Sequence, residues 1–244
     1  MTLVPLKITL TATDAQPFAQ TDEEKELQEW LAPLYDRAWE SIGFGSGKEK
    51  PPFLVLDDIG MPYYDGTRVC IPTEVAREAR AGNVREIQLF SGAHLDIPSD
   101  IQLEEAILHE FVHHTYEHFN EGLTTYASFF HLARMYPEES ASCIAGKIGM
   151  FVTGALAEGD CHVRSLDEMT LPWNLPSWAT AAIQREIDAF YNRPDEVRQR
   201  YETMKNSLRI FCVFEAYCRQ LAELLVDPPA SQDFPAGPPP LQNV

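Results

Sequence analysis

The sequence predicts an α+β fold: a small mixed sheet with one long helix in front and a helical region behind. Three observations carry this. Short apolar runs bounded by turn residues are confined to the stretch before Ser99. From Ser99 to Leu225 the apolar residues recur almost throughout with helical spacing. At the junction stands HEFVHHTYEHFNEGLTTY, residues 109–126, which holds four histidines and three glutamates.

Taken in order, the first element is LKITLTAT, where Leu6, Ile8 and Leu10 alternate with polar residues as in a half-buried strand. A helix follows, capped by Thr21 or Asp22, with acids in its first turn and a stripe of Leu27, Trp30, Leu31, Leu34, Tyr35 and Ala38. Pro33 is expected to kink it. GFGSGKEKPP resembles a phosphate-binding loop only superficially. Glu49 follows the lysine where Ser or Thr is needed, and the loop follows a helix instead of a strand, so a nucleotide site is not expected. FLVLDD reads as a short buried strand, Arg68 to Ile71 as another limited by Pro72, and NVREIQLF as a further strand or a short helix. Ser99 and Gln102 have capping-box spacing and open a long helix that runs to about Phe119. The remaining stretches read as helices, and the Pro-rich tail is expected to be disordered. The expected division is residues 1–119, a helical part over 120–227, and a tail over 228–244.

The chain has 244 residues and a formal net charge of −18. Such a surface repels phosphate backbones and anionic headgroups, so neither nucleic acid nor membrane is expected as a partner. The five cysteines, odd in number and without a CxxC, read as reduced thiols. The N-terminus has no signal-peptide pattern, and no run of 18 apolar residues occurs. The expectation is a cytoplasmic protein, or one exported without a cleavable signal.

His109-Glu110-Phe111-Val112-His113 is the pattern HExxH. Histidines at i and i+4 lie one above the other on a helix, so both imidazoles can reach one ion. The glutamate beside the first is placed to take a proton from water that the metal activates. At about 100° per residue, His109 and His113 fall off the apolar arc of Ile101, Leu108, Val112 and Thr115, while His114 and His118 fall on the far side of the helix. Those two read as polar residues satisfied at the core edge. Glu117 lies two turns beyond His109, too far along a straight helix to share its ion. A third ligand must come from outside this helix. Glu121 is the natural candidate, because Asn120 is a good N-cap for a new helix folding back. Glu158, in ALAEGD, stands in reserve.

The HExxH stretch followed by Asn120-Glu121-Gly122-Leu123-Thr124-Thr125-Tyr126 resembles the gluzincin metallopeptidases. The resemblance implies a zincin-like fold and zinc, with His109, His113 and Glu121 as ligands and Glu110 as general base. It also implies a tyrosine near the site, for which Tyr126 matches the motif position, and an edge strand at Arg68 to Ile71 for an extended peptide or protein substrate. Two departures stand out. Only seven residues separate His113 from Glu121, and Thr124 and Thr125 stand where the family often has an acidic residue. The expected activity is zinc-dependent peptide hydrolysis. The alternatives are a zincin-fold binding module with a structural metal, or a hydrolase acting on a non-peptide small molecule.

Overall fold

In the computed structural model, which describes residues 20–42, 47–57, 59–116, 120–207 and 214–227, the chain mixes α and β with its strands confined to the front half. The strand expected over LKITLTAT, residues Glu117 to Phe119 and the Pro-rich tail lie outside the described residues.

Helix α1 (Asp22–Ile42) opens on a reciprocal cap. Thr21 Oγ1 accepts the Glu24 amide at 3.2 Å, and the Glu24 carboxylate accepts the Thr21 amide. Leu27, Leu31, Tyr35, Ala38 and Ile42 are buried along one stripe. Pro33 is exposed, and the helix runs on through it.

Strands β1 (Phe53–Leu56), β2 (Tyr63–Tyr64) and β3 (Val69–Pro72) form a mixed sheet in the order β1-β3-β2. β1 runs parallel to β3, with Phe53 opposite Val69, and β2 runs antiparallel to it, with Tyr63 opposite Cys70. This corrects the expected edge strand. All four residues of β3 are buried, as suits an apolar run without alternation paired on both sides. Among the described strands the edges are β1 and β2, and the exposed Tyr63 and half-buried Tyr64 of β2 tolerate water on one flank.

Helix α2 (Thr73–Arg80) follows at once and has no counterpart in the sequence reading. It buries Thr73, Ala76 and Ala79, and its eight residues are too short a run for periodicity alone to set it apart. NVREIQLF resolves as strand β4 (Val84–Gln88), which pairs antiparallel with an unforeseen β5 (His94–Pro98), Gln88 opposite His94. β5 leads directly into α3 (Ser99–Tyr116). Ser99 is therefore already helical, and the expected capping box does not form. Ser99 Oγ is buried without a partner, while the Asp100 carboxylate accepts the Ile101 amide at 2.9 Å.

Behind α3 come α4 (Glu121–Met135), α5 (Ala141–Glu158), a 3-10 turn at Leu166–Glu168, α6 (Ser177–Asn192), α7 (Pro194–Ser207) and α8 (Phe214–Val226). Helix α5 is apolar on nearly all sides and sits centrally. A Cβ added at Gly146 would meet Ile87 of β4 at 2.8 Å, and one at Gly154 would meet Cys218 of α8 at 2.5 Å. Small residues thus let elements close in on α5 from several directions. One continuous apolar core runs from Leu27 and Val55 in front to Leu221 and Leu225 behind. Among the described residues, no helix is long and apolar enough to cross a membrane.

Candidate metal centre

The site is built where α3, α4 and α8 meet. On α3, the four-residue spacing stacks His109 over His113, with ring centroids 4.8 Å apart. Asn120 caps α4, its side chain accepting the Leu123 amide at 2.8 Å, so the Glu121 side chain enters from the first turn. Glu121 Oε2 lies 3.0 Å from His109 Nε2 and 3.2 Å from His113 Nε2, and the two imidazole nitrogens are 3.2 Å apart. One donor atom from each residue thus falls within 4.8 Å of every other. Burial alone would raise the Glu121 carboxyl. The two imidazoles against it outweigh this and hold it well below the usual carboxylate range.

Glu110 stands beside this group. Burial pushes its carboxyl above the ordinary range, and His109, His113 and the Tyr64 backbone amide only partly oppose it. That amide belongs to β2, so the sheet edge holds the carboxylate in place. One turn on, on the same face of α3, His114 is tied to the same strand. His114 Nδ1 bonds the Tyr64 hydroxyl at 2.9 Å, and its Nε2 meets the Glu49 carbonyl at 2.9 Å. His114 is a satisfied residue at the core edge, as its angle on the helix suggests. Glu117 and His118 fall outside the described residues. Glu158 is not part of the cluster: its carboxylate pairs with Lys205 Nζ at 2.9 Å at the end of α5.

Tyr126 is buried on α4, five residues after Glu121. Its ring lies against Trp173, with centroids 5.0 Å apart. The phenol at the site is Tyr217 of α8, whose hydroxyl is 3.0 Å from His109 Nε2. Its ring stacks on His109 and on Phe151, and its hydroxyl bonds Glu121 and Thr125. Burial, with the Glu121 charge beside it, raises this phenol far above its ordinary value. Gly122 makes the approach possible. A Cβ there would stand 2.5 Å from Gln220 Cβ and 2.6 Å from the Leu221 amide nitrogen, so only glycine lets α8 come this close. The Gly122 amide instead donates to Gln220 Oε1 at 3.1 Å. Nothing in the sequence of α8 marks Tyr217, since an aromatic between Phe214 and Leu221 at helical spacing reads as core.

Comparison with protein-family models, with curated proteins and with solved structures finds no match to this chain in any of the three.

Proposed function

We propose that this chain is a zinc-dependent hydrolase of the gluzincin type, with a zincin-like fold, that cleaves amide bonds in a peptide or protein substrate. The observation that carries this reading is the convergence of His109 Nε2, His113 Nε2 and Glu121 Oε2 from two helices, with Glu110 alongside. Two imidazoles and one carboxylate are a donor set of catalytic zinc, which leaves a position open. The donor separations of 3.0 to 3.2 Å also lie near the ~3.3 Å edge of a tetrahedron with zinc–ligand bonds of ~2.0–2.1 Å. His109, His113 and Glu121 would hold the ion. When bound, zinc supplies Lewis acidity that polarises a carbonyl and makes water acidic near neutral pH.

The chain's own residues do the rest. Glu110, fixed by the Tyr64 amide and made more basic by burial, accepts the proton of the attacking water and passes it to the leaving nitrogen. Tyr217, where the resemblance implied Tyr126, donates its hydroxyl to the oxyanion that develops on the scissile carbonyl. β2 replaces Arg68 to Ile71 as the edge along which an extended substrate lies.

The test uses the full chain, with zinc measured by elemental analysis and peptide cleavage by mass spectrometry. Glu110→Gln is expected to keep stoichiometric zinc and lose about 10²–10⁴-fold in turnover. A wild-type chain that takes up no zinc, or a Glu110→Gln chain with full turnover, would sink the reading.

One observation favours a second reading. The Tyr217 hydroxyl lies within hydrogen-bond distance of His109 Nε2 and bonds Glu121, where it can serve as a fourth ligand. The centre would then be closed and structural, and the chain a binding module. Tyr217→Phe separates the two. As a catalytic partner, Tyr217 is expected to leave zinc affinity unchanged while kcat falls about 10²–10³-fold. As a ligand, its loss weakens zinc binding, and neither form turns over substrate.

A further inference from the structure

Four residues before His109 on α3 stands Glu105, only 2% exposed. Its carboxylate accepts Ser128 Oγ of α4 at 3.1 Å and pairs with Lys147 Nζ of α5. One side chain therefore fastens the helix that carries His109 and His113 to the helix that carries Glu121, and both to central α5. As a source of net stability such a pair is poor: apolar side chains of similar volume would hold the helices as well or better. Its position supplies another reason. Residues at i and i+4 share a helix face, so Glu105 lies one turn from His109 on the same side. Lys147, with His109 beside it, outweighs burial to hold its carboxyl below the ordinary range, and its charge in turn raises the Tyr217 phenol.

A histidine that binds an ion through Nε2 keeps its proton on Nδ1, and a partner commonly fixes that tautomer and the ring's orientation. The acid that often does this in gluzincins would follow Glu121 by three or four residues. Thr124 and Thr125 stand there instead; Thr124 Oγ1 bonds the Asn120 carbonyl at 3.0 Å and Thr125 engages Tyr217.

We propose that Glu105, anchored by Lys147 of α5 and Ser128 of α4, is a positioning residue for the metal centre, its negative charge fixing the tautomer and orientation of His109 in place of the acid that α4 lacks. The proposal rests on the zinc reading above, and its test keeps the two apart. Zinc affinity is measured by competition with a chromophoric chelator, the ligand field by the visible spectrum of the cobalt(II)-loaded chain, and folding by the unfolding midpoint of the metal-free chain. Glu105→Gln is expected to weaken zinc binding about 10–100-fold and to shift the cobalt bands. The double variant Glu105→Gln with Lys147→Met strands no charge, so its metal-free midpoint returns toward wild type while its zinc affinity stays low. If the neutral variants do not fold, Glu105→Asp serves instead, with weaker zinc binding and a smaller band shift expected. Wild-type zinc affinity in the double variant, or an unchanged affinity and spectrum in Glu105→Asp where that variant is needed, overturns this proposal alone. A wild-type chain that binds neither metal overturns the zinc reading together with it.

Discussion

The two sides of α3 bury carboxylates on consecutive residues. On the side facing α1, Glu104 Oε1 accepts the Tyr136 hydroxyl at 2.7 Å and pairs with Arg37, while Oε2 has no partner. Burial lifts this carboxyl above its ordinary value despite those two donors. On the side facing α5, Glu105 is equally buried, yet its carboxyl is held down. The contrast lies in the partners. The Arg37 side chain is 50% exposed and that of Lys147 29%, and only Glu105 also has an imidazole on its face of the helix. Equal exposure therefore does not fix the direction in which a buried carboxyl shifts; the setting of its counter-charge does. On one side of α3, burial outweighs the donors to Glu104 and lifts its carboxyl. The other keeps a fixed negative charge beside the candidate centre.

The sharpest way to break this contrast is to remove each cation. Lys147→Ala strands Glu105 and is expected to cost about 3–4 kcal/mol in denaturant unfolding. Arg37→Ala leaves Tyr136 in place and a carboxyl that can protonate, and is expected to cost about 1 kcal/mol. Equal losses would refute the comparison. On the α1 side, His131 is 6% exposed, bonds the Ser41 backbone and has no partner at Nδ1. Burial, aided by Arg134, lowers its pKa from 6.5 to about 4. The unfolded chain thus binds a proton that the fold refuses. This stability is full above pH 6.5 and is lost as pH falls through about 4, by up to about 3 kcal/mol. A His131→Leu chain should lack that part of the slope when unfolding is followed from pH 7 to pH 4.

Smaller effects sharpen the picture. Gly122→Ala forces α8 away from α4 and is expected to cost about 2 kcal/mol by thermal unfolding, and to lower turnover further by moving Tyr217. Wild-type turnover in that variant would detach Tyr217 from the site. Glu104 has a raised value in the fold, so its contribution is present below the ordinary 4.5 and is lost as pH rises through the folded value. Glu104→Gln escapes this loss. Its stability relative to wild type should therefore improve between pH 4 and pH 7.

The part of the site that lay open in the sequence is the part set by local geometry. Four-residue spacing stacks His109 and His113 whatever the rest of the chain does, and Asn120 caps α4 next to Glu121. Tyr217 and Glu105 were hidden because their roles depend on which helices meet. An aromatic on an amphipathic helix and an acid within a helix have ordinary explanations in any single sequence. The fold shows the same division. The apolar runs of β1 and β3 announced strands, and the long helical periodicities announced α3 to α6. The hairpin partner β5 and helix α2 span only five and eight residues, too short for periodicity alone to set them apart. The edge strand at Arg68 to Ile71 rests on the family resemblance, and strand order depends on pairing between segments, which a short motif does not encode.

Tyr217 stands 108 residues after His109, on the last described helix. Protein synthesis is vectorial, so α3 and α4 leave the ribosome well before α8. A nascent chain at that stage already has both imidazoles and the Glu121 carboxylate, yet lacks the Tyr217 ring that stacks on His109. On the zinc reading proposed above, metal loading and catalytic competence would be separate events, the second timed by the docking of α8.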